Sequence, residues 1–128
     1  MFAQSIILID NVHSGQDPKG FEEDLHKSFH TNVVANIHLF NLLMPLVLRG
    51  ETKKVIAITS GYGDLDVTAK YELEYAAPYT ISKAALNLAV AKFHSRYAKD
   101  GVLFMGISPG VVDTNIAERE FPILKSRK

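Results

Sequence analysis

Three short segments of the chain are apolar at nearly every position and rich in branched side chains. They span residues 5–9 (SIILI), 55–59 (VIAIT) and 102–107 (VLFMGI), and the first is the weakest of the three. Continuous hydrophobicity, rather than alternation, is typical of strands that are buried on both faces, as in a parallel sheet covered by helices. The pattern therefore predicts a parallel sheet of two or three strands.

Two longer segments follow the helical period. Between residues 21 and 48, apolar residues recur at steps of three and four, and Asp17-Pro18 marks the expected start of this helix. A second helix is predicted over residues 78–98. Residues 61–77 have no clean period, which predicts a long loop, and loops at the ends of buried strands are where α/β proteins carry their chemistry.

The order strand, helix, strand, loop, helix, strand indicates the right-handed crossovers of an α/β fold. We predict a single domain over residues 1–128, with a small parallel sheet of two or three strands and two long helices. These elements would form part of a doubly wound fold of three layers. The tail, residues 115–128, is expected to be frayed.

Charge and composition exclude several classes of partner. Fourteen Lys and Arg balance fourteen Asp and Glu, so no net field attracts nucleic acid or an anionic membrane. Cysteine is absent, which excludes disulfides and thiolate metal sites and is typical of a reducing compartment. His26 and His30 have the spacing of two metal ligands but no acidic residue between them, so we predict no metal site. We expect a cytoplasmic protein.

Tyr79 and Lys83 lie four residues apart in the second predicted helix and therefore on one face of it. A free tyrosine ionises near pKa ~10, too high to exchange protons readily at neutral pH. A nearby ammonium favours the phenolate, so Lys83 is expected to lower the pKa of Tyr79. Taken alone the spacing is a weak signal, and a surface pair without function is its simpler interpretation.

Two strand ends add further chemistry. Ser60-Gly61 follows the second apolar segment, and a serine there can donate a hydrogen bond to a carbonyl or a developing alkoxide. Pro109-Gly110 follows the third segment and is followed by Thr114. Glycine permits the close approach of a ligand to the backbone, and the subsequent N–H groups and hydroxyl can bind a polar group.

In this order, these motifs resemble the short-chain dehydrogenase/reductase family. Residues 77–87 (APYTISKAALN) are similar to its active-site helix almost residue for residue, and the resemblance covers roughly residues 21–114. It implies a Rossmann-like fold that binds NAD or NADP. It also implies that Tyr79 gives or takes the proton at the substrate oxygen, that Ser60 orients that oxygen, and that Lys83 tunes Tyr79 and holds the nicotinamide ribose.

The same resemblance gives roles to further residues. Asn32 is similar to the family's asparagine that props a water chain to the lysine, although a capping or kink-filling asparagine fits the pattern equally. The segment that contacts the nicotinamide carboxamide and the neighbouring phosphate is matched by Pro109, Gly110, Val112 and Thr114.

The chain also departs from the family pattern. The Gly-x-x-x-Gly-x-Gly turn that seats the pyrophosphate is missing, so cofactor binding is expected to be weak. Ser60 and Tyr79 are nineteen residues apart, wider than usual, so the substrate side carries an insertion. In this loop Tyr62, Tyr71 and Tyr75 either line a substrate pocket or pack on the nearest strand. The chain resembles the catalytic half of the family's fold, cut at both ends.

Three interpretations follow. The first is an NAD(P)-dependent oxidoreductase that moves hydride between nicotinamide and a small carbonyl or alcohol substrate. The second is a non-catalytic remnant that acts as a dimerisation or interaction module, because the family's two long helices commonly form a dimer interface. The third is a truncated gene model of a full enzyme. In each case open apolar surfaces predict a homo-oligomer.

Overall fold

A computed structural model describes residues 17–110 of the chain. Its elements are α1 (Pro18–Phe29), a π-helical turn (His30–Val34), α2 (Ala35–Arg49), β1 (Lys54–Ile58), a 3₁₀ turn (Gly61–Gly63), α3 (Leu65–Lys70), α4 (Ala77–Tyr97), a second 3₁₀ turn (Ala98–Asp100) and β2 (Leu103–Ile107). The predicted α/β fold with a small parallel sheet and two long helices is confirmed. The predicted strand at residues 5–9 and the tail 115–128 lie outside the described residues.

The first long helix begins where the sequence predicts. The Asp17 side chain accepts a hydrogen bond of 3.0 Å from the Gly20 N–H, and Pro18 occupies the first turn, where its missing N–H has no cost. The helical path then runs through the π turn into α2 and ends at Arg49. The π turn, which adds one residue to the helical repeat, was not evident from the periodicity.

β1 and β2 pair in parallel, with Lys54 opposite Leu103 and Ile58 opposite Ile107. Both long helices cover the same face of this sheet, because Phe40 of α2 and Phe93 of α4 both contact Phe104 of β2. The ring centroids lie 5.5 Å and 5.3 Å from that of Phe104, an arrangement that adds to the stability gained from burial.

The opposite face of the sheet is open in the part of the chain that the structure describes. Ile56 is 47% exposed and Met105 is 43% exposed, whereas Ala57 and Phe104 on the covered face are buried. The three layers expected from the sequence are therefore not present within residues 17–110, which contain one helical layer and one sheet layer.

Residues 61–77 are not the unbroken loop that the sequence predicted. They contain the first 3₁₀ turn and α3, whose N-cap residue Asp64 accepts a hydrogen bond of 2.9 Å from the Val67 N–H. A helix of six residues is less than two turns long, too short to establish a visible hydrophobic period.

The helical segment Pro18–Arg49 is long and apolar enough, by length and composition alone, to cross a membrane. Its buried residues Phe40 and Met44 belong to the core that includes α4 and β2. In the described part of the chain, 22% of its most apolar stretch is buried.

Candidate active site

The site lies at the carboxyl edge of the parallel sheet. Beyond β1 the ladder continues for one more residue, since the Thr59 N–H donates to the Ile107 carbonyl at 2.8 Å. Ser60 follows Thr59, and Ser108 follows β2, so both serines leave the sheet at the same edge. The Gly61 N–H donates to Ser108 Oγ at 3.0 Å and ties the two strand ends together.

Backbone geometry orients the Ser60 hydroxyl. Ser60 is the N-cap of the 3₁₀ turn, and its Oγ accepts the Tyr62 N–H at 3.2 Å. That contact occupies one lone pair and leaves the hydroxyl proton to point elsewhere. The Ser60 side chain also lies close enough to the Tyr79 phenol to lower the pKa of that phenol by hydrogen bonding to its ionised form. The structure therefore brings together the predicted serine and tyrosine.

Lys83 lies one turn after Tyr79 on α4 and is buried, with 2% of its surface exposed. Its Nζ donates to the Ile58 carbonyl at 3.1 Å and lies 5.6 Å from the centroid of the Tyr79 ring. The ammonium is thus anchored to the end of β1, beneath the phenol. A buried lysine held by a backbone carbonyl is not the surface pair that the spacing alone allowed.

Burial governs the charge states of this pair. It raises the pKa of Tyr79 above its ordinary value of 10.0, the hydrogen bond from Ser60 opposes this rise, and the charge interaction with Tyr62 adds to it. Burial likewise lowers the pKa of Lys83 below 10.5. Desolvation of the phenol therefore outweighs the hydrogen bonding that favours the phenolate, and the expectation that Lys83 lowers the pKa of Tyr79 stays a prediction.

Asn32 lies in the π turn and is buried, with 5% of its surface exposed. Its Nδ2 donates to Ser82 Oγ at 2.9 Å, and that hydroxyl donates to the Tyr79 carbonyl at 2.7 Å. Asn36 Nδ2 in turn donates to the Asn32 carbonyl at 2.9 Å. Asn32 is thus linked to the helix that carries Tyr79 through Ser82, a partner that the sequence reasoning missed. The role in a water chain to Lys83 stays a prediction.

Gly63 is a second residue that the sequence reasoning missed. A Cβ at this position would lie 2.6 Å from the Ala84 nitrogen and 2.7 Å from the Lys83 carbonyl carbon. Only glycine allows the 3₁₀ turn after Ser60 to press against the backbone of α4 next to Lys83. The signal available in the sequence was the Gly-x-Gly pattern of Gly61 and Gly63 directly after Ser60.

Pro109 and Gly110 are exposed beyond the end of β2. Gly110 has a φ of +73°, and a Cβ there would meet no described atom within 4 Å. Open backbone in this conformation is suited to the close approach of a ligand. Val112 and Thr114, the other two residues predicted to contact the cofactor, lie outside the described residues.

A parallel sheet whose carboxyl edge holds a serine–tyrosine pair above a buried lysine is the arrangement of a short-chain dehydrogenase/reductase. The chain belongs to this family, since the family model for short chain dehydrogenases matches residues 7–123.

Several relatives share the region. The chain is 65% identical over 100 residues to the short chain dehydrogenase virK of Hypocrea virens, covering 78% of this chain and 37% of the relative. It is 52% identical to the short-chain dehydrogenase/reductase iacC of Pestalotiopsis fici, and the match covers 77% of this chain and 36% of the relative. It is 30% identical to an uncharacterized oxidoreductase of Schizosaccharomyces pombe, and the match covers 74% of this chain and 36% of the relative. The chain thus matches little more than a third of the length of these relatives.

Proposed function

We propose that this chain carries the proton-transfer half of an NAD(P)-dependent oxidoreductase that interconverts a small carbonyl compound and its alcohol. The observation that carries the proposal is the placement of Lys83, whose Nζ is fixed by the Ile58 carbonyl at 3.1 Å and lies 5.6 Å from the centroid of the Tyr79 ring, next to Ser60 at the end of the same strand. The names of the relatives support a general oxidoreductase role.

The residues of the chain would act at the substrate oxygen. Ser60 donates a hydrogen bond to the carbonyl oxygen and fixes its position beside the phenol. In the reduction direction Tyr79 Oη gives its proton to that oxygen as negative charge develops there, and in oxidation it takes the proton back. Lys83 places a positive charge below the ring, which stabilises the phenolate left after the transfer.

The residues at the strand ends fit the nicotinamide end of a dinucleotide. Pro109 and Gly110 follow β2 at the sheet edge where the Ile58 carbonyl of β1 accepts from Lys83 Nζ, and no described atom would lie within 4 Å of a Cβ at Gly110. The nicotinamide and its ribose would be held by Tyr79, Lys83, Pro109 and Gly110. When bound, the nicotinamide of NAD or NADP would supply a hydride to the substrate carbon in reduction, or accept it in oxidation.

The test is the replacement Tyr79→Phe. Since the ring packs and only the hydroxyl reacts, we expect the reduction of small aldehydes and ketones with NADH or NADPH to fall by about 10²–10⁴ while the fold is retained. Tyr71→Phe is the matched control, because Tyr71 is 61% exposed in the same inter-strand segment. Activity of Tyr79→Phe within a few-fold of the parent would remove Tyr79 from the mechanism, and an inactive parent would overturn the enzyme proposal.

A second candidate, a self-associating interaction module, is favoured by a different observation. The face of α2 that points away from the core exposes four leucines: Leu39, Leu42, Leu43 and Leu46. An apolar stripe of this kind is typical of a helix that packs against another helix. Self-association is compatible with catalysis and would persist if the catalytic proposal failed.

A further inference from the structure

Two tyrosines beside the Ser60–Tyr79 pair have no part in the proton transfer. The rings of Tyr62 and Tyr75 meet edge to face, with centroids 5.8 Å apart and an interplanar angle of 81°. Both rings remain accessible, since Tyr62 is 39% exposed and Tyr75 is 45% exposed. The pair bridges the two ends of the segment that connects Ser60 to α4.

Tyr62 is fixed close to the reacting groups. Its N–H donates to Ser60 Oγ, and its carbonyl accepts from Thr68 Oγ1 at 3.4 Å. The next residue, Gly63, presses against the backbone of α4 at Lys83, as described above. The effect of Tyr62 on the pKa of Tyr79 is a further sign that the two phenols are near each other. These contacts fix the backbone of Tyr62 beside Ser60, and the Tyr75 ring contacts the Tyr62 ring from the other end of the segment.

Tyr75 is held by a strained backbone. Glu72 and Ala76, which flank it, have φ angles of 49° and 54°, a conformation that side chains other than glycine's adopt only at a cost. Ala76 is the N-cap residue of α4, and its carbonyl accepts the Thr80 N–H at 3.0 Å. Strain of this kind persists where the surrounding structure requires it, and it clusters at ligand-binding segments. In this segment the Tyr75 ring contacts Tyr62, four residues before Tyr79 in the sequence.

We infer that Tyr62 and Tyr75 form a stacking subsite for a planar aromatic portion of the substrate. The inference rests on the proposed function for the location of the reacting carbonyl, and it specifies an aromatic ketone or the matching alcohol. An edge-to-face pair presents both a ring face and a ring edge, the two surfaces that aromatic ligands prefer to contact. Aliphatic carbonyl compounds of equal size would gain binding free energy only from the burial of apolar surface, without the additional ring–ring contact.

The experiment compares the binding of two ketones that differ only in aromaticity, 2-acetonaphthone and its fully saturated analogue. Dissociation constants are measured by NMR titration of the full 128-residue chain. We expect Tyr62→Leu and Tyr75→Leu each to weaken binding of 2-acetonaphthone by about three- to tenfold, the range of one aromatic contact. Binding of the saturated ketone should change by less than about twofold.

Three control variants separate the possible causes. Tyr62→Phe and Tyr75→Phe keep the ring and should retain binding, while Tyr71→Leu removes a tyrosine that is 61% exposed outside the pair and should have no effect. Circular dichroism establishes that each variant is folded. An equal loss for both ketones, a loss in the Phe variants, or no preference of the parent for 2-acetonaphthone would overturn the subsite.

The outcome also distinguishes the subsite from the catalytic proposal. If the ring-dependent preference is present but the chain reduces neither ketone with NADH or NADPH, the proposed function fails and the subsite stands. If both ketones are reduced with equal kcat/KM and equal affinity, the proposed function stands and the subsite fails.

Discussion

Burial shifts the pKa values of Tyr79 and Lys83 in opposite directions. Burial raises the pKa of Tyr79 and lowers that of Lys83, and the hydrogen bond from Ser60 works against the first of these shifts. Because the pKa of Tyr79 lies above 10.0, the phenol is protonated at neutral pH and ready to donate. Reduction should therefore be nearly independent of pH around neutrality, whereas oxidation, which needs the phenolate as base, should rise with pH beyond 10.

Ser60→Ala tests the contribution of Ser60 to the pKa of Tyr79. Removing the hydroxyl removes the contribution that lowers the pKa of Tyr79, so that pKa should move further upward. The measurement is an NMR pH titration of tyrosine labelled with ¹³C at Cζ. Ser95→Ala is the control, since the exposed Ser95 hydroxyl donates to the Ala91 carbonyl at 3.0 Å, about four turns of α4 away from Tyr79. A downward or absent shift in Ser60→Ala would show that Ser60 does not tune Tyr79.

Gly63 gives a prediction about stability. In Gly63→Ala the added methyl would meet the α4 backbone at 2.6 Å, and neither segment can yield without moving a secondary-structure element. We expect a loss of about 1–3 kcal/mol in the free energy of unfolding. In Gly61→Ala the new Cβ would lie 3.8 Å from Ser108 Oγ, an ordinary contact, so the loss should be below about 1 kcal/mol. Equal losses in a urea titration would refute the backbone-contact argument.

At the residue scale, the sequence could indicate the candidate site residues but not the burial and the tertiary contacts around them. Residue type and spacing drew attention to Ser60, Tyr79 and Lys83, but their roles were implied only by the resemblance to the family, and these roles stay predictions. The direction of the Tyr79 pKa shift could not be predicted from residue type and spacing, since it depends on how much solvent the fold removes. The close approach of Gly63 to α4 is a tertiary contact, and such a contact cannot be predicted from the local sequence.

The elements were predictable where periodicity extended over several turns. The two long helices and both described strands lie within a few residues of their predicted bounds, because their apolar residues follow the period of a helix or fill a buried strand. The π turn was hidden, since a single inserted residue at His30–Val34 shifts the phase without ending the helix. This turn nevertheless brings Asn32 against α4.

The contact between these two elements can be measured by a double-mutant cycle. Asn32→Ala and Ser82→Ala remove the two partners of one buried hydrogen bond, so their effects on the free energy of unfolding should be non-additive by about 1 kcal/mol. Asn41→Ala and Ser95→Ala form the control cycle on the same two helices. Each of these residues bonds to a carbonyl four residues earlier, and we expect their effects to add.

Additivity in the Asn32–Ser82 cycle would mean that the π turn and α4 are not coupled through this bond. Non-additivity in both cycles would instead indicate that the helices respond as one unit to any change. Only coupling confined to the buried pair supports the view that the π turn positions the helix that carries Tyr79.

At the scale of the whole molecule, the described residues leave two apolar surfaces uncovered. One is the sheet face with Ile56 and Met105, and the other is the outer face of α2. Because both strands are apolar at nearly every position, the sequence predicted that each strand is covered on both faces. It could not predict which face the chain's own helices would take, since that is decided by the aromatic contacts around Phe104.

The outer face of α2 leads to the final prediction, that the chain self-associates through its leucines. Leu42 is 61% exposed and Leu46 is 59% exposed, one turn apart on the same side of the helix. Packing this stripe against a second copy would remove a continuous apolar surface from water, and a two-fold axis would place the same residues on both sides. We expect a dimer at micromolar concentration in sedimentation experiments. Leu42→Glu would place two charges in a closed apolar contact and should weaken the dimer at least about tenfold.

Leu65→Glu is the matched control, because Leu65 in α3 is 81% exposed and lies outside the stripe. If hydrophobic exposure in general caused association, both variants would reduce it, whereas an interface at α2 is disrupted by Leu42→Glu alone. A parent chain that stays monomeric and unfolds cooperatively would contradict the prediction, since the exposed leucines would then be tolerated by the monomer. Association that survives Leu42→Glu would move the interface to the open sheet face, where Met105→Glu is the corresponding test.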